Sequence, residues 1–520
     1  MSSTESSLIA YGIFATIGLL LYAIFPKKTK WIVLLVLSYL LVFFLSSFWT
    51  IFLIIATFIV YLSGLLIDNL RLKFEKEKVN LSKEEKKLLK KKIKNKQKII
   101  MIIGVILSLT MLSLLKYFNL PLGKLNNLFS KYHFLKIAFP LLGISYYVLT
   151  SIGYLIDVGR GKYEAQRNFF KLALFIGFFP CQIEGPFQRY DKTKDMLFKQ
   201  ENPTYNDLSV GTLLTIWGLF KKIVIADRLN LVTAEIFNNF NKNSGISIFI
   251  GIVFYAFQLY TDFSGYIDIA RGTSRLFGIN LEKNFDRPFL SRTVGEFWRR
   301  WHMSLGSWLK DYVFFSVALS KPYMAFDKKI NGKLSPFLEK FIQVAIPTLF
   351  VWLACGIWHG AGIKYIVYGM YYYLIMMFGI LIEPVHNFIL KKLHLRKESI
   401  FIQSIMIIRT FILVLIGLTL FRANSLNDFV LIMQRLFTSG SFNLIKRNIL
   451  TWQDMLIIII SLSILVIFEI VNEFKDTFKL YYKAPIIFRY SLLLVMIFII
   501  IIFGAYGTNY VPVDPLYALF

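Results

Sequence analysis

Two histidines stand in surroundings that could support chemistry by an imidazole within a membrane. His359 lies in the segment GIWHGAG, which separates two long apolar runs, and its flanking glycines would let another group approach the backbone. Carboxylates are scarce around both His359 and His302, which favours proton abstraction by a neutral imidazole over hydrolysis at a metal ion. We therefore treat both as candidate catalytic residues. A structural histidine in a helical hairpin is the alternative for His359.

His302 belongs to an interval, Tyr260 to Tyr312, that is too polar to span a membrane and too aromatic to be a free loop. Charged groups survive at membrane depth only where protein or a watery cavity shields them. On a helical wheel, residues 294–312 divide into an apolar and a polar arc, and His302 lies on the seam. The pattern predicts one amphipathic helix over these residues. A helix at the membrane interface whose histidine is only structural explains the pattern as well as a helix with a functional His302. Residues 260–362 together form the predicted catalytic core.

Several other chemistries lack their characteristic spacings in this sequence. There is no GxxxxGK phosphate-binding loop, which argues against a single-chain ATP-driven transporter, and no HExxH or zinc-finger spacing. The two cysteines, Cys181 and Cys355, are not part of a CxxC pair, so thiolate metal sites and redox sites are poor interpretations. We expect neither a metal ion nor a bound cofactor.

Membrane helices must position these residues, because the composition excludes a soluble enzyme. Hydrophobic residues make up 56% of the 520 residues, charged residues 17%, and the mean hydropathy is +0.58. Apolar runs of about 20 residues predict an all-α polytopic membrane protein with about 11 to 13 spans. The first run, Leu8 to Phe25, is interpreted as a retained span rather than a signal peptide. The predicted spans lie near 8–25, 31–47, 50–66, 99–115, 135–157, 167–182, 209–226, 245–262, 342–358, 364–383, 403–421, 454–471 and 487–505.

The net charge of +28 is explained by a membrane location rather than by a nucleic-acid partner. Basic residues gather in cytoplasmic loops, where they also meet anionic lipid headgroups. Lys27 to Lys30 and the basic loop 71–98, which has 13 basic and 4 acidic residues, are therefore predicted to be cytoplasmic, with the N-terminus outside. No repeat or compositional break marks a second domain, so a single membrane domain over residues 1–520 is predicted.

The motifs around both histidines resemble those of the membrane-bound O-acyltransferase family, in its bacterial AlgI, PatA and DltB branch. The blocks FWRRWHMSLGSWLKDY and GIWHGAG carry the resemblance, and their occurrence together makes it specific. Further segments similar to family elements are GPFQRY, YTDFSGYIDIARG, NFDRPF and LFRA. The resemblance covers roughly Phe170 to Ala423 by motif. It implies spanning and re-entrant helices around a central funnel.

The resemblance also implies a reaction, the transfer of an acyl group, most simply acetyl, from a thioester to a hydroxyl group. The donor would be acetyl-CoA or an acyl carrier on the cytoplasmic side. The acceptor would be a cell-surface polysaccharide or an extracytoplasmic acyltransferase. His359 is similar to the family's invariant histidine, implying a general base, and His302 to a second histidine that orients a substrate. The expected substrate-binding residues are Arg299, Arg300, Trp298, Trp301, Asp262 and Trp358.

Three alternatives stay open at the level of sequence. The arginines could pair with Glu296 or with lipid phosphate instead of donor phosphates. A D-alanyl group could be transferred to teichoic acid from a carrier-protein thioester. A lipid or polysaccharide flippase would share the hydropathy and the intramembrane charges. In each case the expected location is the cell membrane, with lipids as neighbours and no nucleic acid.

Overall fold

The computed structural model describes residues 3–116, 143–199, 202–442, 444, 449–506 and 510. Within these residues all regular secondary structure is helical. The α-helices are α1 (Ser3–Ile24), α2 (Lys30–Ser46), α3 (Thr50–Glu77), α4 (Lys83–Lys116), α5 (Ile144–Gly159), α6 (Phe169–Gly177), α7 (Tyr190–Phe198), α8 (Tyr205–Leu219), α9 (Asp227–Asn238), α10 (Gly245–Leu276), α11 (Val294–Arg300), α12 (Met303–Leu309), α13 (Phe315–Ala318), α14 (Lys321–Ile330), α15 (Pro336–His359), α16 (Ile363–Lys392), α17 (Ile400–Arg422), α18 (Leu426–Arg435), α19 (Trp452–Phe474), α20 (Thr477–Lys483) and α21 (Ile486–Phe503).

Nine helical stretches in the described part of the chain are long and apolar enough to cross a membrane. The first, Lys27–Asn80, contains two predicted spans, because the chain turns at Ser47 (φ 51°) between α2 and α3. Two more predicted spans are shorter apolar helices, Leu8–Ile24 and Phe169–Cys181. The span predicted near 135–157 lies partly outside the described residues. The all-helical multi-pass class is confirmed, with nine stretches where about 11 to 13 were predicted.

The chain divides into two compact units, and the first comprises Met1–Thr215, Tyr266–Glu282 and Asp514–Phe520. Helices α3, α4 and α5 pack against one another within this unit. Gly104 of α4 suits this close packing, since a Cβ there would lie 2.5 Å from a methyl group of Leu155 and 2.7 Å from the hydroxyl oxygen of Ser63. The prediction of one membrane domain for the whole chain stays a prediction.

Residues 71–98, called the basic hairpin below, are helical on both sides of a short turn. Helix α3 continues to Glu77, with Lys73 and Glu77 paired at 3.5 Å, and α4 begins at Lys83. Helix α4 has 34 residues, or about 51 Å, which exceeds the ~30 Å hydrocarbon core of a bilayer. We therefore expect its basic first turns to extend beyond the lipid tails. Their cytoplasmic location stays a prediction.

The second unit comprises Ile216–Gly265 and Lys283–Val513, and it contains both candidate histidines. Helices α15 and α16 form a tightly packed hairpin within it. A Cβ on Gly356 would lie 2.5 Å from the carbonyl oxygen of Tyr365, so only glycine allows this approach. The hairpin places His359 at the end of α15, next to the turn that precedes α16.

Candidate active site

The helix that carries the first histidine is broken at that residue. Helix α11 ends at Arg300, and α12 begins at Met303. Trp301 is extended (φ −106°, ψ 128°), and His302 adopts the left-handed conformation (φ 47°, ψ 51°). The prediction of one continuous amphipathic helix over 294–312 is therefore wrong. The wheel cannot register such a break, because it assumes 100° for every residue.

Hydrogen bonds from the segment before α11 explain the break. Asp286 donates its N–H to the carbonyl of Arg300 at 2.9 Å, and the carbonyl of Asn284 accepts from the N–H of Met303 at 2.9 Å. These bonds satisfy backbone groups on both sides of the bend, so the chain loses little by leaving the helix. A left-handed conformation is uncommon for a residue other than glycine and persists where its surroundings hold it.

The imidazole of His302 is buried among an amide and two aromatic rings. Its exposed fraction is 5%, and its Nδ1 lies 3.3 Å from Oδ1 of Asn284. The ring of Phe263 meets it edge to face, with centroids 4.7 Å apart, and the centroid of Trp358 is 6.2 Å away. Burial lowers the pKa of His302 to about 3. The imidazole is therefore neutral at physiological pH.

His359 is held mainly by aromatic rings. It is the last residue of α15 and is 3% exposed. The rings of Phe421 and Tyr368 meet the imidazole nearly edge to face at centroid distances of 5.1 and 5.5 Å. Trp358 is nearer still, at 4.7 Å, and Tyr365 lies at 6.4 Å. Gly356 and Gly360 of the GIWHGAG segment allow a close approach of Tyr365, since a Cβ would lie 2.5 Å from its carbonyl oxygen at Gly356 and 2.4 Å from its ring at Gly360.

Trp358 is the residue that connects the two histidines. Its ring centroid lies 6.2 Å from that of His302 and 4.7 Å from that of His359. The two imidazole centroids therefore cannot be more than about 11 Å apart, the limit set by those two distances. Two motifs that are separated by more than 50 positions in the sequence thus meet around one tryptophan.

The other two tryptophans predicted to bind substrate, Trp298 and Trp301, pack against aromatic side chains. Trp301 is 2% exposed and packs against Phe285, with centroids 5.1 Å apart. Trp298 packs edge to face on Trp352 of α15 and Tyr372 of α16, at 4.9 and 4.8 Å. Both residues thus fix short helix α11 against the rest of the unit. A direct role for either in substrate binding stays a prediction.

The two predicted arginines have different surroundings. Arg299 is exposed. Arg300 is paired with Glu296 at 2.8 Å and with Glu473 at 3.0 Å. Arg300 thus pairs with Glu296, which was one of the alternatives left open by the sequence. Glu473 also pairs with Arg287 at 3.2 Å, so one acidic residue near the end of α19 connects Arg300, just before the bend, to the segment that precedes α11.

Asp262 belongs to a buried group of three charges that the sequence did not predict. Lys222, whose side chain is fully buried, lies 2.7 Å from Asp262 and 2.8 Å from Asp227. Lys222 is in a π-helical turn, Phe220–Ala226, between α8 and α9. The sequence did contain one indication of this charged group. Lys221 and Lys222 lie inside an apolar run, and charges within a membrane need partners. Asn284 was marked only as the first residue of the NFDRPF segment, and no comparable signal existed for Glu473.

A metal centre finds no support in the described residues. Among the side chains that the structure describes, no group of three His, Cys, Asp or Glu residues could hold a metal ion. The expectation that the protein needs no metal ion stays a prediction. Cys181 and Cys355 are both buried and free.

Comparisons with known proteins identify the family of this chain. The profile of the membrane-bound O-acyltransferase family matches residues 98–326, a range that includes His302 and ends before His359. The probable alginate O-acetylase AlgI of Pseudomonas syringae pv. tomato is 31% identical over 353 residues, which are 67% of this chain and 62% of that protein. The chain belongs to the membrane-bound O-acyltransferase family.

Two further relatives carry other names. The peptidoglycan O-acetyltransferase of Helicobacter pylori is 31% identical over 299 residues, which cover 52% of this chain and 53% of the relative. The teichoic acid D-alanyltransferase of Bacillus subtilis is 30% identical over 237 residues, 45% of this chain and 58% of the relative. The chain thus spans less than two thirds of the length of each of these curated relatives.

Proposed function

We propose that this protein is a membrane O-acyltransferase, most simply an O-acetyltransferase. It transfers an acyl group from a cytoplasmic thioester to a hydroxyl of a cell-surface polysaccharide or of an extracytoplasmic partner. The observation that carries the proposal is the meeting of two buried imidazoles, His302 and His359, around Trp358. The relatives named as O-acetylases or O-acetyltransferases support acetyl as the group, since they align over more of this chain than the D-alanyltransferase does.

His359 acts as the general base in the proposed reaction. Its imidazole takes the proton of the acceptor hydroxyl while the oxygen attacks the thioester carbonyl carbon. The tetrahedral intermediate then breaks its carbon–sulfur bond, and the leaving thiolate takes the proton back from the imidazolium. The products are an ester and a thiol, with no net proton change. The rings around His359 exclude water, which would otherwise hydrolyse the thioester.

The remaining predicted residues have supporting roles. His302 orients a substrate, and Trp358 packs against both imidazoles. Arg299, which is exposed, is the better candidate for donor phosphates, because Arg300 already has two carboxylate partners. Asp262 is paired with Lys222, so it supports the site through packing rather than by contact with substrate.

The two substrates would reach the histidines from opposite sides through an intramembrane funnel. A donor with several phosphate groups would approach the basic face of the protein, and an acceptor made outside the cell would approach from the other face. This arrangement requires the basic hairpin to be cytoplasmic and the N-terminus to be outside. Acyl transfer would then not require the donor to cross the membrane.

Labelling with a membrane-impermeant thiol reagent on intact cells tests the orientation. Ser82, in the turn of the basic hairpin, is exposed and suits a single cysteine. Ser47, the obvious outer position, is 6% exposed and has a positive φ, so Phe48→Cys, at a half-buried position beside it, is the better choice. Phe48→Cys should label, and Ser82→Cys should label only after permeabilisation. The reverse pattern would contradict the proposed orientation.

Transfer by the purified protein tests the reaction itself. Protein in nanodiscs receives radiolabelled acetyl-CoA, with alginate oligosaccharides as the acceptor probe, and ester formation is measured. Wild type should form ester, and His359→Ala should not. A requirement for a carrier-protein thioester would support the D-alanyl alternative. Vectorial movement of lipid or polysaccharide that survives His359→Ala would support a flippase instead.

A further inference from the structure

Asn284 lies directly beside His302, in the segment that causes the break between α11 and α12. Its Oδ1 accepts from the N–H of Ser304 at 2.9 Å and from the hydroxyl of Ser304 at 2.8 Å. The same oxygen lies 3.3 Å from Nδ1 of His302. Asn284 is 1% exposed, and its own carbonyl accepts from the N–H of Met303. Its amide group is thus fixed by both side-chain and backbone hydrogen bonds.

The bond from Ser304 decides which way the Asn284 amide faces. A backbone N–H can only donate, so the amide atom 2.9 Å from Ser304 N must be the oxygen. That oxygen can only accept. The contact with His302 is a hydrogen bond only if Nδ1 of the imidazole carries the hydrogen.

A neutral imidazole carries one ring hydrogen, so its location fixes the character of both nitrogens. With Nδ1 protonated, Nε2 presents a lone pair and accepts hydrogen bonds. Because burial keeps the pKa of His302 at about 3, the doubly protonated form does not compete at physiological pH. The choice therefore lies between the two neutral tautomers of His302, and the contact with Oδ1 of Asn284 favours the one with hydrogen on Nδ1.

We propose that Asn284 is a positioning residue that holds His302 in the Nδ1–H tautomer, so that Nε2 accepts a hydrogen bond from a second hydroxyl of the acceptor, next to the one that gives its proton to His359. An Nε2 with a lone pair cannot donate to the thioester carbonyl, whereas a hydroxyl is a donor that it can bind. His302 thus orients the hydroxyl-bearing acceptor and not the acyl donor. The inference rests on the proposed function and narrows the role given there to His302.

The tautomer can be observed directly in the intact protein. Nitrogen NMR of 15N-histidine-labelled wild type, with the His302 signals assigned through His302→Gln, distinguishes a protonated from an unprotonated ring nitrogen. We expect a protonated Nδ1 and an unprotonated Nε2 in wild type, and a mixture of tautomers in Asn284→Ala. A protonated Nε2 in wild type would overturn the proposal. This measurement needs no substrate, so its outcome is independent of the proposed activity.

Kinetics then test the consequence, with acetyl-CoA as donor and alginate oligosaccharides as the acceptor probe. Asn284→Ala should raise the KM for the acceptor by about 10- to 100-fold, the range seen when a second partner of a metal-bound imidazole is lost. The KM for acetyl-CoA should change by less than about 2-fold. Equal changes in both KM values would contradict the acceptor-specific role. Ester formation absent even in wild type would contradict the proposed function instead.

Two further variants separate positioning from folding. Ser304→Ala removes one bond to Asn284 but keeps the backbone N–H and the His302 contact, so it should retain the tautomer and the acceptor KM. Asn284→Asp keeps an acceptor oxygen beside Nδ1, and its charge favours the imidazolium, so the acidic limb of the pH–rate profile should move to higher pH. Should Asn284→Asp leave that limb unmoved, Asn284 anchors only the loop, and the proposal is wrong.

Discussion

The two histidines of the site are held by different kinds of contact. His302 lies at a bend, where hydrogen bonds from the segment that contains Asn284 fix both the backbone and the imidazole. His359 lies at the end of a long helix, surrounded by Trp358, Phe421 and Tyr368. Polar contacts fix the direction of a ring and the location of its hydrogen, whereas aromatic contacts exclude water from the imidazole. The difference matches an orienting group in one place and a proton-transfer group in the other.

Loss of His359, the histidine surrounded by aromatic rings, is expected to have the largest effect on acyl transfer. His359→Ala should lower acyl transfer by about 10² to 10⁴-fold, because no neighbouring group replaces a general base. Cell-surface O-acetylation and ester formation in nanodiscs both measure this. Expression and detergent stability should stay near normal, and His386→Ala, a histidine on α16 outside the ring cluster, serves as the control. If the His359→Ala variant retained the wild-type level of O-acetylation, His359 would not be the general base.

The buried charges of Lys222, Asp227 and Asp262 can be tested through the free energy of unfolding. Lys222→Met would leave Asp227 and Asp262 without their shared cation, which should cost about 3 to 5 kcal/mol of the free energy of unfolding. Thermal unfolding in detergent measures the change. The double variant Lys222→Met/Asp262→Asn removes charges of both signs and should recover part of the loss. A Lys222→Met protein as stable as wild type would show that the three charges do not support this side of the site.

Loss of the hydrogen-bonded histidine should have a smaller effect on the rate. His302→Ala is expected to lower transfer by about 10- to 100-fold, less than His359→Ala, since water can partly replace an orienting group. The two variants are compared in the same nanodisc assay at saturating acetyl-CoA. Equal inactivity of both would place His302 in the chemical step and remove the distinction drawn above.

The smallest expected effect concerns stability at acidic pH. The pKa of His302 is about 3 in the folded protein, below the ordinary 6.5, so stability is fully present above pH 6.5 and is lost as the pH falls toward 3. At pH 5.5 the loss should be about 1.4 kcal/mol relative to neutral pH. His302→Gln should lose correspondingly less stability between pH 7.5 and 5.5. An identical decline in both proteins would show that other groups cause it.

Composition and motif spacing were sufficient to predict the membrane class and the family, whereas the roles of the two histidines stay predictions. Apolar runs located most of the helices, because a membrane span needs a long apolar stretch that is visible in one dimension. The glycines around His359 also predicted a close approach, which Gly356 and Tyr365 now show. These features depend on neighbours in the sequence.

The parts that sequence could not predict depend on contacts between distant residues. The break at His302 arises from hydrogen bonds with Asn284 and Asp286, and a helical wheel contains no information about them. The cation that pairs with Asp262 comes from a helix some 40 positions earlier in the chain. Such partners are determined by tertiary packing. From the sequence alone, a charged motif residue such as Asp262 could therefore be assigned to substrate binding as easily as to an ion pair.

The buried charges of the stretch Tyr205–Asn238 have a consequence for how this protein enters the membrane. A lysine or arginine at the centre of a helix costs about 2.5 to 3.5 kcal/mol when the helix is inserted alone. Lys222 has one partner, Asp227, within its own stretch, and its second, Asp262, comes with α10, the next long helix to be synthesised. Arg228 must wait for Asp454, which follows 226 positions later. We therefore expect this stretch to remain beside the insertion machinery until its partners arrive. Biogenesis, in this protein, would proceed by pairing helices rather than by releasing them one at a time.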